Sequence, residues 1–243
     1  MSELARILSH SSDIVFFGGA GISTESGIPD FRSSAGLYAK ATPFAPPPEY
    51  LLSKDCLEQD PAAFFDFHRT SLLHPQARPN RGHLALARLE QAGHLRCVVT
   101  QNIDGLHQAA GSRSVLELHG SAHRNTCVGC GRQQDMHFML ASSGVPACPD
   151  CGSMVRPDVV LYGEALDPVV VRASVEAVSS CDVLVVGGTS LNVYPAAGLV
   201  DHFQGSQLVL VNREATAWDH RADLVVHEPL GDVLGQAVDE LLG

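Results

Sequence analysis

The chain has 243 residues, 45% of them apolar, enough for one domain or one and a half around a sizeable core. No apolar run approaches the roughly 18 residues of a membrane span, and MSELARILSH lacks the basic start and cleavage site of a secretory signal, so a soluble, cytoplasmic protein is expected. A formal net charge of −11 speaks against a binder of nucleic-acid backbones and favours cationic partners such as lysine-bearing segments.

Residues 3–10 read as a short amphipathic helix leading into a buried strand at 13–17. Gly18, Gly19 and Gly21 follow, where backbone N–H groups at a sharp turn with a helix start behind them suit phosphate oxygens. The third fingerprint glycine is missing, since its place holds Thr24, and a plain strand-to-loop turn accounts for the glycines as well. Pro29, Asp30, Phe31 and Arg32 add a rigid bend, an acid, a ring and a guanidinium, so a nucleotide here would meet a loop as well as a helix end. Residues 39–60, with Pro43 and Pro46-Pro47-Pro48, read as an irregular mobile loop. Asp60-Pro61 opens a helix to about His74, whose Phe64, Phe65, Phe67, Leu72 and Leu73 suit the core of a small helical lobe. Asn80 caps the next helix, which stops at Gly93 and sets Ala85, Leu89 and Ala92 on one face.

A strand at 95–100, a polar stretch with a short helix ending at Gly111, and a strand at 115–118 come next. After a cysteine section over 121–155, the pattern predicts a strand near 159–161, a helix at 168–179 and a strand at 183–186. A second glycine turn opening onto a helix, strands at 208–211 and near 224–226, and a helix from about 231 close the chain. Strands alternating with helices predict an α/β fold with a parallel, doubly wound sheet. Ligands of such sheets sit at the carboxyl ends of the strands, near the switch in strand order. The polar clusters at 19–32, 101–107, His119, 188–190 and 212–214 all follow strands, which points to one shared site.

Cys127, Cys130, Cys148 and Cys151 form C-x2-C-x17-C-x2-C, the signature of a closed, structural four-thiolate zinc site, with a redox dithiol as the alternative. Cys56, Cys97 and Cys181 read as buried inert thiols. His119, at a strand end beside Gly120, is a general base or a satisfied core histidine. Gln101, Asn102 and Asp104 suit a carboxamide and ribose hydroxyls, or merely cap a helix. Thr189 and Ser190 offer small donors to phosphate, and Asn212 and Glu214 stand where ribose-reading residues often do.

Together these residues resemble the sirtuin family of NAD-dependent protein-lysine deacylases. The resemblance runs through GAGIS…SGIPDFR (19–32), TQNIDGLH (100–107), ELHG (117–120), the paired cysteines, RPDVVLYGE (156–164), GTSLNVYPA (188–196) and LVNRE (210–214). It implies a Rossmann-like NAD domain from 1–36, 80–120 and 156–243, and a smaller lobe made of a helical insertion (37–79) and a zinc ribbon (121–155). NAD would be the co-substrate and one zinc ion structural. Gly19, Ala20, Gly21, Ile22, Ser23, Asp30, Phe31, Arg32 and Tyr38 would wrap the NAD. Gln101, Asn102, Ile103 and Asp104 would hold ribose and carboxamide, while Gly188, Thr189, Ser190, Asn212, Arg213, Glu214 and Leu230 would line the adenosine side. His119 would be the base, with Asn102 beside it in catalysis. Val159, Val160 and Leu161 would pair with the substrate backbone as a strand edge, with Tyr162 and Gly163 also on the substrate side. The partner would be an acyl-lysine protein or peptide, the chain a monomer, with no membrane or nucleic acid involved.

Two departures, Gly18 where the family often has Thr and Tyr162 where it often has Phe, are tolerable. Succinyl-preferring members carry a Tyr and an Arg three residues apart in the acyl pocket; here those places hold Phe65 and His68, with Arg69 one residue off. A ring without its hydroxyl and a neutral imidazole grip a carboxylate poorly, so deacetylation is expected, with longer uncharged acyl groups admitted. Mono-ADP-ribosyl transfer to protein is the alternative at the same NAD site. A hydride-transferring dehydrogenase and a non-enzymatic zinc-ribbon module fit less well: one lacks the third fingerprint glycine and a use for a base beside the ribose, the other a use for Asn102, Asp104 and His119.

Overall fold

The structure, a computed structural model, describes residues 1–31, 33, 36–40 and 46–243. Helix α1 (Glu3–Ser9) starts on the Ser2 hydroxyl, which accepts the Ala5 N–H, and buries Leu4, Ala5 and Leu8. Strand β1 (Ile14–Gly18) is buried at every position. Its Ile14 and Phe16 face one layer while Val15 and Phe17 face the other. A strand covered on both faces has no polar side, hence the unbroken apolar run. A 3-10 helix, Ala20–Ser26, follows at once and stops at Gly27, whose φ is +83°.

The expected irregular stretch at 39–60 is largely helical where it is described. Helix α2 (Pro48–Leu51) uses Pro48 in its first turn, where a missing N–H costs nothing. Helix α3 (Lys54–Gln59) is capped by Ser53 and buries Cys56 and Leu57. Prolines that looked like loop punctuation thus start a helix, while Pro43 lies outside the described residues. Helix α4 (Pro61–Ser71) is capped by Asp60 and ends three residues before His74. Helix α5 (Arg81–Gln91) carries a capping box between Asn80 and His83. Its buried face is completed by Leu86, whereas Ala92 is the exposed C-cap.

Strand β2 (Leu95–Thr100), helix α6 (Leu106–Ala110) and strand β3 (Val115–Glu117) follow. The small lobe then supplies β4 (Gly120–Cys127), β5 (Gln133–Gln134), α7 (Met136–Ala141) and β6 (Val155–Val159). The chain closes with α8 (Pro168–Ser180), β7 (Val183–Gly187), a 3-10 helix at Ala196–His202, β8 (Gln207–Val211), β9 (Leu224–Val226) and α9 (Leu230–Leu242). Among the described residues, no helix is long and apolar enough to cross a membrane.

Six strands form one parallel sheet in the order β3-β2-β1-β7-β8-β9. The chain builds outward from β1 to β3, then returns beside β1 at β7 and builds the other way. The switch point lies between β1 and β7, where Gly18 pairs with Gly187. Helices α1, α5 and α9 cover one face; α8 and the 196–202 turn cover the other.

The strand expected near 159–161 lies earlier, over β6, and pairs antiparallel with β4 in a second sheet of order β5-β4-β6. Residues 156–159 therefore pair in the small sheet, although the expected boundary gave them to the large one. Pro157 and the polar residues between Val155 and Val159 hid the alternation, because only one face of this strand is covered. One core joins Leu57, Phe64 and Phe65 of the helical insertion to Cys127, Met139, Cys148 and Val155 of the cysteine module. The two inserts make one lobe.

Candidate active site

A cavity of about 870 Å³ lies between the carboxyl rim of the parallel sheet and the small lobe. Gly19, Gln101, His119, Gly188 and Asn212 reach it from the ends of β1, β2, β3, β7 and β8. Leu52, His68 and Leu161 reach it from the lobe.

At the switch point the two glycine turns interlock. Gly21 donates its N–H to the Gly188 carbonyl at 2.8 Å, and Gly19 donates to Gly187 at 3.2 Å. A Cβ on Gly21 would sit 2.6 Å from Gly188 Cα, and one on Gly188, with φ at +61°, would sit 2.5 Å from Ile22 N. The glycines let backbone meet backbone. The N–H groups of Gly19 and Gly21 are therefore spent on the neighbouring turn, a correction to their reading as free phosphate donors.

The 3-10 helix carries the fully buried Ser23. Its hydroxyl donates to Asp104 Oδ2 at 2.6 Å and accepts from Asn102 Nδ2 at 3.1 Å. Asp104 Oδ1 also accepts the Leu106 N–H at the start of α6, at 2.9 Å. Asn102 is 9% exposed and lines the cavity. Gln101 Nε2 donates to Thr189 Oγ1 at 3.2 Å, tying the rim of β2 to that of β7.

His119 Nδ1 lies 2.8 Å from the Gln101 carbonyl oxygen. A carbonyl only accepts, so Nδ1 carries the hydrogen and Nε2 is left as the acceptor. Burial lowers the pKa of this imidazole below its ordinary value, and the Gln101 bond opposes the shift in part. The ring is thus neutral at physiological pH with its basic nitrogen free to take a proton.

In the lobe, the Sγ atoms of Cys127, Cys130, Cys148 and Cys151 all lie within 4.8 Å of one another. The Cys127–Cys151 and Cys130–Cys148 pairs are 3.5 and 3.6 Å apart. Four sulfurs at about 2.3 Å from a tetrahedral zinc stand about 3.8 Å apart, so the set fits the ion and leaves no fifth place for a catalytic water. The spacing is also too long for disulfides, which need about 2.05 Å. The Cys130 N–H points at Cys127 Sγ and lowers that thiol to about 6. At Cys130 the Arg132 N–H is outweighed by the neighbouring sulfurs, which push that thiol up to about 12, the mutual repulsion that a bound cation would relieve.

The Sir2 family model matches residues 19–195. The chain belongs to the Sir2 family. It is 57% identical to an NAD-dependent protein deacetylase of Cutibacterium acnes, over 96% of this chain and 95% of that one. It is 52% identical to one of Clostridium perfringens, over 98% of each. A solved Sir2 structure with a deacetylated p53 peptide and 3′-O-acetyl-ADP-ribose aligns with a TM-score of 0.88 at 37% identity, over 98% of this chain and 97% of that one. Another, with p53 peptide and NAD, aligns at 0.86 and 37%, over 99% and 98%.

Most of the residues named from the sequence stand on the wall of this sirtuin's cavity. Ala20, Asp30, Phe31 and Ile103 do so, as do Ser190, Arg213, Glu214 and Leu230. Val159, Val160, Leu161, Tyr162, Gly163 and His68 form the lobe side. Three do not reach the wall. Ile22 is fully buried in the core under the sheet, because the 3-10 helix turns its one large apolar side chain inward. Tyr38 instead sets its hydroxyl 2.6 Å from that of Tyr162, and Phe65 packs edge-on against Phe64 in the lobe core. Arg32 lies outside the described residues. Arg69 points away, as the count predicted, and donates to the Gly144 carbonyl of the cysteine module.

The segment expected to pair with substrate is also more committed than a free edge. Val160 donates its N–H to the His119 carbonyl at 3.0 Å, Tyr162 donates to Leu52, and Leu161 donates to the Glu164 carboxylate. Ser71, Leu72, His74, Asn192, Val193 and Glu228 line the same cavity and were missed. The last three follow glycine-turn or strand-end positions already singled out, so a wider window there would have found them.

Proposed function

We propose that this sirtuin removes acetyl groups from protein lysines with NAD as co-substrate, giving free lysine, O-acetyl-ADP-ribose and nicotinamide. The observation that supports it most directly is the tautomer of His119, a neutral ring with Nδ1 anchored on Gln101 and Nε2 open at the cavity rim. Such a nitrogen suits general-base catalysis beside the ribose.

NAD supplies the ribose that leaves carrying the acyl group. Asn102 and Asp104, held through Ser23, bind its ribose and carboxamide; Thr189, Ser190, Asn212 and Glu214 take the adenosine side. The acyl oxygen would attack the ribose carbon as nicotinamide leaves. His119 Nε2 would then draw a proton through the ribose hydroxyls, so that a hydroxyl attacks the acyl carbon, and water would complete the release of free lysine and O-acetyl-ADP-ribose. Residues 159–163 guide the acyl-lysine segment of the partner protein between rim and lobe. The four cysteines hold one zinc ion that orders the lobe and takes no part in chemistry. The enzyme works as a monomer in the cytoplasm.

Mass spectrometry of an acetyl-peptide with NAD tests the reading. Equimolar free-lysine peptide and O-acetyl-ADP-ribose are expected, with His119→Ala slower by at least about 100-fold. ADP-ribose retained on protein, with the acetyl group left in place, would establish the transferase alternative instead.

A further inference from the structure

Strand β4 leaves its own sheet for a short stretch. Its ladder with β6 runs through Gly120 and Ser121, breaks, and resumes at Asn125. A bulge of this kind frees backbone groups and re-aims side chains. Here they turn to the loop that follows β2 at the rim of the parallel sheet. Ala122 donates its N–H to the Ile103 carbonyl at 2.9 Å. His123 Nε2 lies 2.8 Å from the Asp104 carbonyl oxygen. A carbonyl only accepts, so Nε2 carries the hydrogen.

The loop is shaped to receive this ring. Gly105 has φ at +70°, and a Cβ there would sit 2.8 Å from His123 Cδ2 and 2.9 Å from Nε2. The imidazole therefore occupies the space that a side chain at 105 would take. Asp104 is held at both ends as a result: Ser23 and the Leu106 N–H fix its carboxylate, and His123 fixes its carbonyl. Ile103 and Asp104 line the cavity, whereas His123 is not among the described residues that do so. His123 is an exposed residue of the small lobe, and its bond holds in place a group on the cavity wall.

We propose that His123 is a positioning residue for NAD: by pinning the Asp104 carbonyl it keeps the Asp104 carboxylate aimed at the ribose and carboxamide. The small lobe thereby contributes to NAD affinity without touching NAD. This rests on the NAD-dependent deacetylase reading and adds no bond-making step to it. His123 acts through Asp104 and moves no proton in the reaction.

Titration calorimetry with NAD alone tests it. His123→Phe keeps a ring over Gly105 without a donor, His123→Leu lacks both, and His123→Gln can still donate. Loss of one hydrogen bond predicts a Kd for NAD raised about 3- to 10-fold in His123→Phe and His123→Leu, and within about twofold of the parent in His123→Gln. Misfolded chains lower the binding stoichiometry and leave the Kd unmoved, so a merely structural role is told apart. KM for acetyl-peptide should hold steady in all three, because Asp104 serves the NAD side. A Kd unmoved in His123→Phe and His123→Leu, an equal weakening in His123→Gln, or a KM for acetyl-peptide that rises in step with the Kd overturns the inference. A parent enzyme that binds NAD yet leaves the acetyl-peptide intact overturns the deacetylase reading alone; one that binds no NAD overturns both.

Discussion

Asn80 does two jobs with one side chain, and a single substitution separates them. Its Oδ1 accepts the N–H groups of Gly82 and His83 at the start of α5. Its Nδ2 donates to the Ile22 carbonyl at 2.7 Å and to Ser26 Oγ at 2.9 Å, clamping the 3-10 helix that carries Ser23. Asn80→Asp keeps the cap, and a carboxylate there gains about 0.3–1 kcal/mol from the helix dipole. It loses both donated bonds and sets an oxygen against the Ile22 carbonyl, a cost of about 2 kcal/mol at the clamp after the Ser26 hydroxyl turns to donate. If that cost falls on the cavity-lining conformation of Ser23, KM for NAD rises by about 30-fold. Asn80→Ala loses cap and clamp together, about 3 kcal/mol, or a Tm lower by about 6–12 °C. Steady-state kinetics at saturating acetyl-peptide and a thermal melt measure both. An Asp variant whose KM for NAD stays within twofold, beside an Ala variant with a lowered Tm, would reduce Asn80 to an ordinary helix cap and refute the clamp.

Other outcomes follow from neighbouring features. The acid limb of kcat/KM should have its midpoint below 6.5, because burial lowers the His119 pKa; a midpoint of 7 or above contradicts the neutral-base assignment. Gly188→Ala should leave little soluble protein, since its Cβ meets backbone at 2.5 Å, whereas Gly27→Ala, with φ at +83° and nothing within 4 Å, should cost only about 1–2 kcal/mol in a urea titration. Cys130→Ser should lower bound zinc well below one ion per chain by elemental analysis and loosen the lobe to proteolysis, because metal binding of this kind contributes on the order of 10 kcal/mol. Zinc retained at one per chain would contradict the four-thiolate assignment.

The buried ring pair His83–His107, centroids 4.9 Å apart, gives a stability profile in pH. Burial lowers both, to about 4 and about 3, so the folded chain refuses protons that the unfolded chain accepts below 6.5. Their stabilisation is complete above pH 6.5 and is lost as the pH falls towards 4. The loss is at most about 1.4 kcal/mol per pH unit for each ring. Urea titrations at pH 7 and pH 5 should show this fall, smaller in His107→Leu; equal slopes in the two proteins would exclude His107 as a source.

The elements that sequence located best are those whose cause is local. The unbroken apolar run at 14–17 means a strand covered on both sides, Asn80 and Asp60 cap helices with their own side chains, and the cysteine spacing closes a metal knuckle over a few bonds. These features need no knowledge of what lies across the fold. The short strand β6 and helix α2 escaped because a half-covered strand and a proline-started helix lack that local signature, whereas α3 carries its own Ser53 cap and was hidden by the prolines before it.

What depended on the tertiary structure was every relation between groups far apart in the chain. Sequence alone identified the glycines at 19, 21 and 188, the histidine at 119 and the cysteine quartet as chemistry-bearing. Only the assembled sheet showed that Gly21 and Gly188 press backbone to backbone, that Gln101 fixes the His119 tautomer, and that His68 faces the cleft unpaired. The physical reason is range: propensity and capping act over a few residues, whereas steric fit and the partner of a buried polar atom come from other segments, 18 residues on for Gln101 and His119 and far more for Gly21 and Gly188.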